Sequence, residues 1–528
     1  MSTSIPLLAV GNINPTVLVS VPMLICFFAL MLGVGLYCRK LSTSIDGFVL
    51  GGCTVGPWLT AFAFGTSYFS AVIFVGYAGQ FGWNFGLAST WIGLGNAFIG
   101  SLLAWMVLGR RTRVMTQHLS SKTMPDFFEK RYNSKALKAI ASVIVFVFLI
   151  PYTASLYNGL SSLFNNVFEI DYWIIVVVMA ALTGVYVIFG GYMATAINDF
   201  IQGIIMLVGI VVVVMSVLNQ NGGLIEAVRT LGEQGDGQFV STLGPDPVSL
   251  LFVVLLTSLG TWGLPQMVGK FYSIKDESSI KKGTIISTVF AVVVAGGCYF
   301  LGGFGRLYQQ QMTDGGYITE HGVLFDKVVP TMLADLAPVV VALIIVLVLS
   351  ASMSTLSSLV LTSASTLTLD VVKPAIERKK AMSDKRSVFV MRLFIVFFVA
   401  VSAIIAILKD TLWKDSVFIA QMMGVSWGAL AGAFLAPFLY GLYWRRTTRA
   451  AVAASFVFGT GLELVQLCIS THLFSVKGIP VLEFIFTNSL YSGVFAMLGG
   501  LVLVPIVSLL TQNTRPENVD DKFTCFEK

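Results

Sequence analysis

The hydrophobic residues of this chain fall in long runs, and the polar residues crowd into the short stretches between them. Thirteen runs of about 20 residues, the length that crosses a bilayer core, lie near 16–37, 56–79, 83–109, 138–160, 172–190, 199–219, 247–269, 283–305, 335–370, 387–408, 415–443, 450–471 and 486–511. Such runs predict helices, because lipid offers no partner for an unpaired backbone group. The pattern therefore predicts an all-α polytopic membrane protein with thirteen spans. Residues 1–15 hold no Lys or Arg, and the run that follows is too long for a signal-peptide core, so it reads as a retained first span.

The loop charges give orientation. With the N-terminus outside, the inward loops and tail carry 27 of the 33 Lys and Arg, including eight in 110–138, four in 270–282 and seven in 373–392. Cations concentrate on the cytoplasmic side of membrane proteins. The expectation is N-out and C-in, with the basic loops acting as topology signals and not as ligand sites.

Composition closes off other classes. Charged residues are only 11% of the 528 and hydrophobic ones 56%, which excludes a cytosolic enzyme, a nucleic-acid binder or a disordered scaffold. The six cysteines are scattered and not paired with the three histidines, so neither a zinc site nor a disulfide framework is expected. There is no Walker motif for ATP and no His–carboxylate relay for a proton pump.

Polar chemistry sits in three places. Span two gathers Gly65-Thr66-Ser67-Tyr68-Phe69-Ser70 at its middle, and span seven holds Gly260-Thr261-Trp262-Gly263-Leu264-Pro265-Gln266. Interrupted helices at corresponding positions of two halves point to a transport site. If spans 2–6 and 7–11 are two repeats, each opens on a broken helix, and an odd span number makes the repeats inverted. Span nine would be a helix of roughly 57 Å at 1.5 Å per residue. Its second half places Ala351, Ser354, Thr355 and Ser358 on one face. Small hydroxyl residues can simply allow close packing, or two hydroxyls with freed carbonyls can hold Na⁺, a hard cation. The third place is Asp199 at the start of span six. Glu463 in span twelve is a further intramembrane acid, outside the repeats.

These stretches, with Gly51-Gly52 to Gly56-Pro57, Phe189-Gly190-Gly191, Gly260 to Phe271, Met353 to Ser357 and Trp444 to Arg449, carry a resemblance. The chain resembles the sodium:solute symporter family, in its bacterial proline/pantothenate-like branch, over roughly residues 15–510. The resemblance implies a LeuT-like fold of two inverted five-helix repeats, alternating access and Na⁺-driven uptake of a small solute. It implies sodium ligands at the carbonyls of Thr66 and Phe69, at Ala351, and at the hydroxyls of Ser354 and Thr355, with Asp199 coupling to sodium near the cytoplasmic exit. It implies solute contacts at Ser67, Tyr68, Ser70, Thr257, Thr261, Trp262, Pro265 and Gln421. Proline carriers have an Asp at the place of Tyr68, an Arg at Cys53, and a Trp and a Tyr at Thr257 and Thr261. The solute expected is thus neutral or anionic, an amino acid or monocarboxylate, and not proline or a cation.

The resulting division is an extra helix and loop at 1–55, repeats at 56–219 and 247–443, two helices at 444–511 and a cytoplasmic tail at 512–528. The expected setting is the plasma (inner) membrane, as a monomer with no organic cofactor and no enzymatic constellation. H⁺-coupled symport or exchange on the same fold is the alternative, and a membrane sensor a remote one.

Overall fold

The computed structural model describes residues 15–168, 170–320, 322–378, 381–412, 418–471, 473, 475–476 and 478–527. It is almost wholly helical; the strands Ile318–Thr319 and Gly322–Val323 form one small antiparallel pair in a loop. Ten helices among the described residues are long and apolar enough to cross a membrane, or eleven if one bent pair counts as a span. We label the elements that matter here in chain order. They are α1 (Pro15–Tyr37), α2 (Pro57–Tyr68), α3 (Val72–His118), α4 (Met124–Tyr132), α5 (Lys135–Phe168) and α6 (Tyr172–Gln220). The bent pair is α7 (Pro247–Gly263) and α8 (Pro265–Tyr272), and α9 (Glu277–Gly302) and α10 (Pro338–Glu377) follow. The remainder are α11 (Asp384–Leu412), α12 (Phe418–Tyr443), α13 (Arg449–Ser470), α14 (Ser489–Leu510) and α15 (Val519–Phe523).

Two of the ten long helices absorb what the apolar pattern reads as separate spans. Gly86, at φ +60°, turns the chain inside α3, and Gly191, at φ +56°, turns it inside α6. Both lie in the left-handed region where a Cβ is strained. Both are also pressed against backbone: a Cβ would stand 2.1 Å from the Phe239 carbonyl oxygen at Gly86 and 2.8 Å from that of Phe48 at Gly191.

The polar middles behave differently from these turns. Helix α2 ends at Tyr68, and Phe69 adopts an extended conformation (φ −83°, ψ +110°). Helix α7 passes through a tight 3₁₀ turn at Gly260–Gly263, and extended Leu264 precedes Pro265, the first residue of α8. A residue before proline is driven out of the helical region, and α7 and α8 meet at 46°.

The centre of the bundle is α10 and α12, with 83% and 94% of their most apolar window buried; α1 lies at the rim with 17%. Residues such as Leu18, Ile25, Ile285, Val396, Val457 and Val502 form an exposed apolar belt, as a lipid-facing surface requires. Inside, where lipid and protein are equally apolar, small residues let backbones approach. A Cβ on Gly82 would stand 2.0 Å from the Gly302 carbonyl, and one on Gly302 would stand 2.2 Å from the Ala78 oxygen.

One end of the bundle is closed by charge. Asp126 on α4 pairs with Lys130 and Lys138 at 2.9 Å each, and Lys138 also reaches Glu129 and, at 3.5 Å, Asp370 of α10. Burial pushes the Asp126 carboxyl up, but Lys138 and Lys130 outweigh it and hold the group below its ordinary range. The segment carrying α15 packs on the same end. Arg111 lies between the rings of Tyr443 and Phe526, at 4.1 and 4.6 Å from their centroids. Arg445 binds Asp520 and Glu527, and Lys522 Nζ donates to the Arg131 carbonyl at 3.2 Å.

Candidate cation and solute site

Where α2 stops, its last carbonyls lose their helical donors and turn toward α10. Ser354 Oγ donates to the Thr66 carbonyl at 3.1 Å. Thr355 Oγ1 lies 3.3 Å from the carbonyl oxygens of both Thr66 and Phe69, and 3.1 Å from that of Ala351, which Ser354 Oγ also reaches at 3.1 Å. The structure thus brings Thr66, Phe69, Ala351, Ser354 and Thr355 into one cluster, with all five residues buried. Thr355 faces three carbonyls with a single hydroxyl hydrogen. A cluster with more lone pairs than protons, and no carboxylate, suits a small hard monovalent cation.

Asp199 on α6 is fully buried, but it is not alone. Lys270 Nζ, on α8, lies 3.6 Å from Asp199 Oδ2 and donates to Ser358 Oγ at 3.0 Å. Ser358 in turn meets Ser67 of α2 at 2.8 Å. The loop charges had counted Lys270 among the inward loop cations. The structure corrects this: it is the sixth residue of a helix that starts at Pro265, and it is 3% exposed. The signal was available in the sequence, since a single Lys among Met267, Val268, Gly269, Phe271 and Tyr272 is not loop-like. Glu463 on α13 lies elsewhere, buried, accepting from Ser492 at 3.0 Å, with its Oε1 against Gly428.

The expected solute residues divide. Tyr68 and Ser70 are buried with hydroxyls that find no partner among the described residues. Ser67 is turned away, bonded to Ser358 and to the Ala63 carbonyl. Thr257 bonds within its own helix to Val253, and Thr261 to Ser258 and to Gly100 of α3. Trp262 donates its indole N–H to the Ile99 carbonyl at 3.0 Å. Pro265 opens α8. The side chain of Gln421 lies outside the described residues.

Two further groups were missed. Tyr152 on α5 and Trp427 on α12 meet edge to face at 6.0 Å, facing Ser70. Tyr152 OH and Trp427 Nε1 are both buried, and among the described residues neither makes a well-formed hydrogen bond, although Tyr152 approaches both Trp427 and Ser70. Trp427 packs close to Gly260 at the α7 turn. Neither carries a sequence signal, because an aromatic in an apolar span reads as core. Ser70, Tyr152 and Trp427 thus bring uncharged hydrogen-bonding groups together in the buried interior beside the end of α2, and buried polar groups of this kind ordinarily have partners.

The family model for the sodium:solute symporter family matches residues 48–459. The chain belongs to the sodium:solute symporter family. Sodium/proline symporters of Staphylococcus aureus, strain JH9 among them, are 28% identical over 510 residues, covering 93% of this chain and 92% of theirs. Among solved structures, the substrate-bound outward-open state of a Na⁺-coupled sialic acid symporter covers 93% of this chain and 97% of that one, with a TM-score of 0.76 at 18% identity. A manganese transporter of Eremococcus coleocola is a more distant match, at 13% identity and a TM-score of 0.50. This sodium:solute symporter therefore has the LeuT-like transporter fold, and it is a multi-pass membrane transporter and not an enzyme.

Proposed function

We propose that this sodium:solute symporter carries a small neutral or anionic organic solute, of the amino acid or monocarboxylate class, into the cell with Na⁺ held by Thr66, Phe69, Ala351, Ser354 and Thr355. The observation that carries the reading is the cluster of three carbonyls and two hydroxyls between the end of α2 and α10. Sodium there joins the interrupted helix of one repeat to the long helix of the other. An ion that binds one arrangement of these two elements better shifts the protein toward it, by no more than its difference in affinity. The solute then binds at Tyr68, Ser70, Tyr152 and Trp427, with Thr257, Thr261, Trp262, Pro265 and Gln421 on the α7–α8 and α12 sides. These residues are uncharged, and a solute carboxylate would sit on the free N–H groups of an interrupted helix. Release follows the side of Asp199.

The same reading counts α3 and α6 as two passes each, divided at Gly86 and Gly191, and α7 with α8 as one. That makes thirteen, N-out and C-in, in two inverted repeats at 56–219 and 247–443. It places the protein in the plasma membrane as a monomer. Proteoliposomes with an inward Na⁺ gradient, assayed against a panel of amino acids and short carboxylates including proline, test it. Na⁺-stimulated uptake of a neutral or anionic member is expected. Uptake that follows a pH gradient and ignores Na⁺ would replace sodium by H⁺, with Asp199 as carrier, and no Na⁺-stimulated uptake across the panel would end the reading.

A further inference from the structure

One helical turn beyond the Ser354/Thr355 pair, α10 presents a second pair of hydroxyls, Ser357 and Ser358. Ser358 Oγ is bonded to Ser67 of α2, so the same two helices are tied again at this level. Asp199 of α6 completes an oxygen-rich cage: it is fully buried, and neither carboxylate oxygen makes a hydrogen bond among the described residues. This second cage differs from the first in containing a carboxylate and in its occupancy. It already holds a positive charge, because Lys270 Nζ sits 3.0 Å from Ser358 Oγ, 3.6 Å from Asp199 Oδ2 and 5.3 Å from the centre of the Tyr192 ring.

We propose that Lys270 is a tethered second cation, whose ammonium fills the Asp199–Ser358 cage and so limits the protein to one Na⁺ per solute. The inference rests on the sodium reading above and sets its stoichiometry.

Charge neutrality decides between a lysine and a second sodium. With Lys270 present, the buried pair is neutral, and another Na⁺ would bring an uncompensated charge into a dry site. Without Lys270, Asp199 would be the uncompensated charge, and a cation arriving from water would neutralise it. A narrow pocket of about 50 Å³ lies beside the cage, lined by Lys270, Ser358, Tyr192, Gln266 and Thr362. The tether has a mechanical meaning as well. Lys270 belongs to α8, Ser358 to α10 and Asp199 to α6, so the bound charge moves with the broken span of the second repeat and links it to both.

The test counts sodium. Purified full-length protein is titrated with radioactive sodium to saturation, and the Na⁺:solute ratio is read from the reversal potential in proteoliposomes. The wild type should bind one Na⁺ and couple at one to one, and Thr355→Ala should lose that ion. Lys270→Ala should bind a second Na⁺, which the double variant Lys270→Ala/Asp199→Asn should lose again, while Lys270→Arg should stay at one. A wild-type ratio of two overturns the proposal even if no variant folds. So does a Lys270→Ala protein that keeps the Thr355-dependent ion and gains no other. A wild type that binds no sodium at all would instead sink the coupling reading on which the proposal stands.

Discussion

Replacing Thr355 by Val keeps the shape of the side chain and removes one oxygen from the cation cluster. Thr355 Oγ1 is the atom that joins all three backbone carbonyls, at 3.1 Å from Ala351 and 3.3 Å from Thr66 and Phe69. A hydrogen-bonding group facing a charge contributes about 1.5–3 kcal/mol, which corresponds to a sodium affinity roughly 10- to 150-fold weaker. Ser354 still serves the Thr66 and Ala351 carbonyls, so the loss should fall on the ion more than on the fold, whose stability should drop by about 1 kcal/mol. Half-saturating sodium for uptake is the direct measurement, and the sodium-dependent rise in melting temperature is an independent one, because a ligand of the folded state stabilises it by mass action. Solute affinity at saturating sodium should change by only a few-fold, and Thr355→Ser should recover most of the loss. A well-folded Thr355→Val protein with unchanged half-saturating sodium would refute the assignment of this cluster.

Two predictions concern the scaffold. Gly302→Ala drives a methyl to 2.2 Å from the Ala78 carbonyl oxygen; backbone cannot yield as a side chain can, so a loss of about 1–3 kcal/mol is expected, seen as a lower melting temperature in detergent, and an unchanged one would argue against this packing. Burial, then Arg131 and Arg449, lower Lys522 to about 8. Its charge therefore opposes docking of the α15 segment below that pH, and the opposition fades as pH rises from there toward the ordinary lysine range. Protease access to the segment should fall over that interval in the wild type and show no such step in Lys522→Met; a wild type without the step would contradict this placement.

Much of this was legible in the chain because it is written in backbone chemistry. Pro265 and the glycines before it can hardly sit in a continuous helix, and the run of Ser350 to Ser358 is conspicuous within an apolar span. The spacing of Ser354 and Thr355 places them on one face, which is where the structure has them meet the carbonyls of Thr66 and Phe69. Lys270 was misplaced because counting loop charges treats every cation near a span end as solvated. Burial beside Asp199 is a tertiary fact, and nothing local to residue 270 names its partner. Tyr152 and Trp427 escaped for the opposite reason: aromatic residues are expected in spans, and only their unmet hydrogen bonds set them apart. The positive-φ glycines Gly86 and Gly191 show the limit of run lengths, since a helix can be broken at a single residue without a polar loop.

Three of the five oxygens in the proposed sodium site are peptide carbonyls, and no mutation of a side chain can retune them. Ion preference must then be set by how far apart α2 and α10 stand, as a gauge is set by the gap between its jaws. Residues that never touch the ion would adjust that gap. Gly203 is one: a methyl there would press to 2.3 Å from the Phe62 ring and 3.1 Å from the Thr66 methyl, on the back of α2. Selectivity between sodium and its smaller or larger relatives would thus be inherited through the packing of α6 behind the site as much as through the residues that line it.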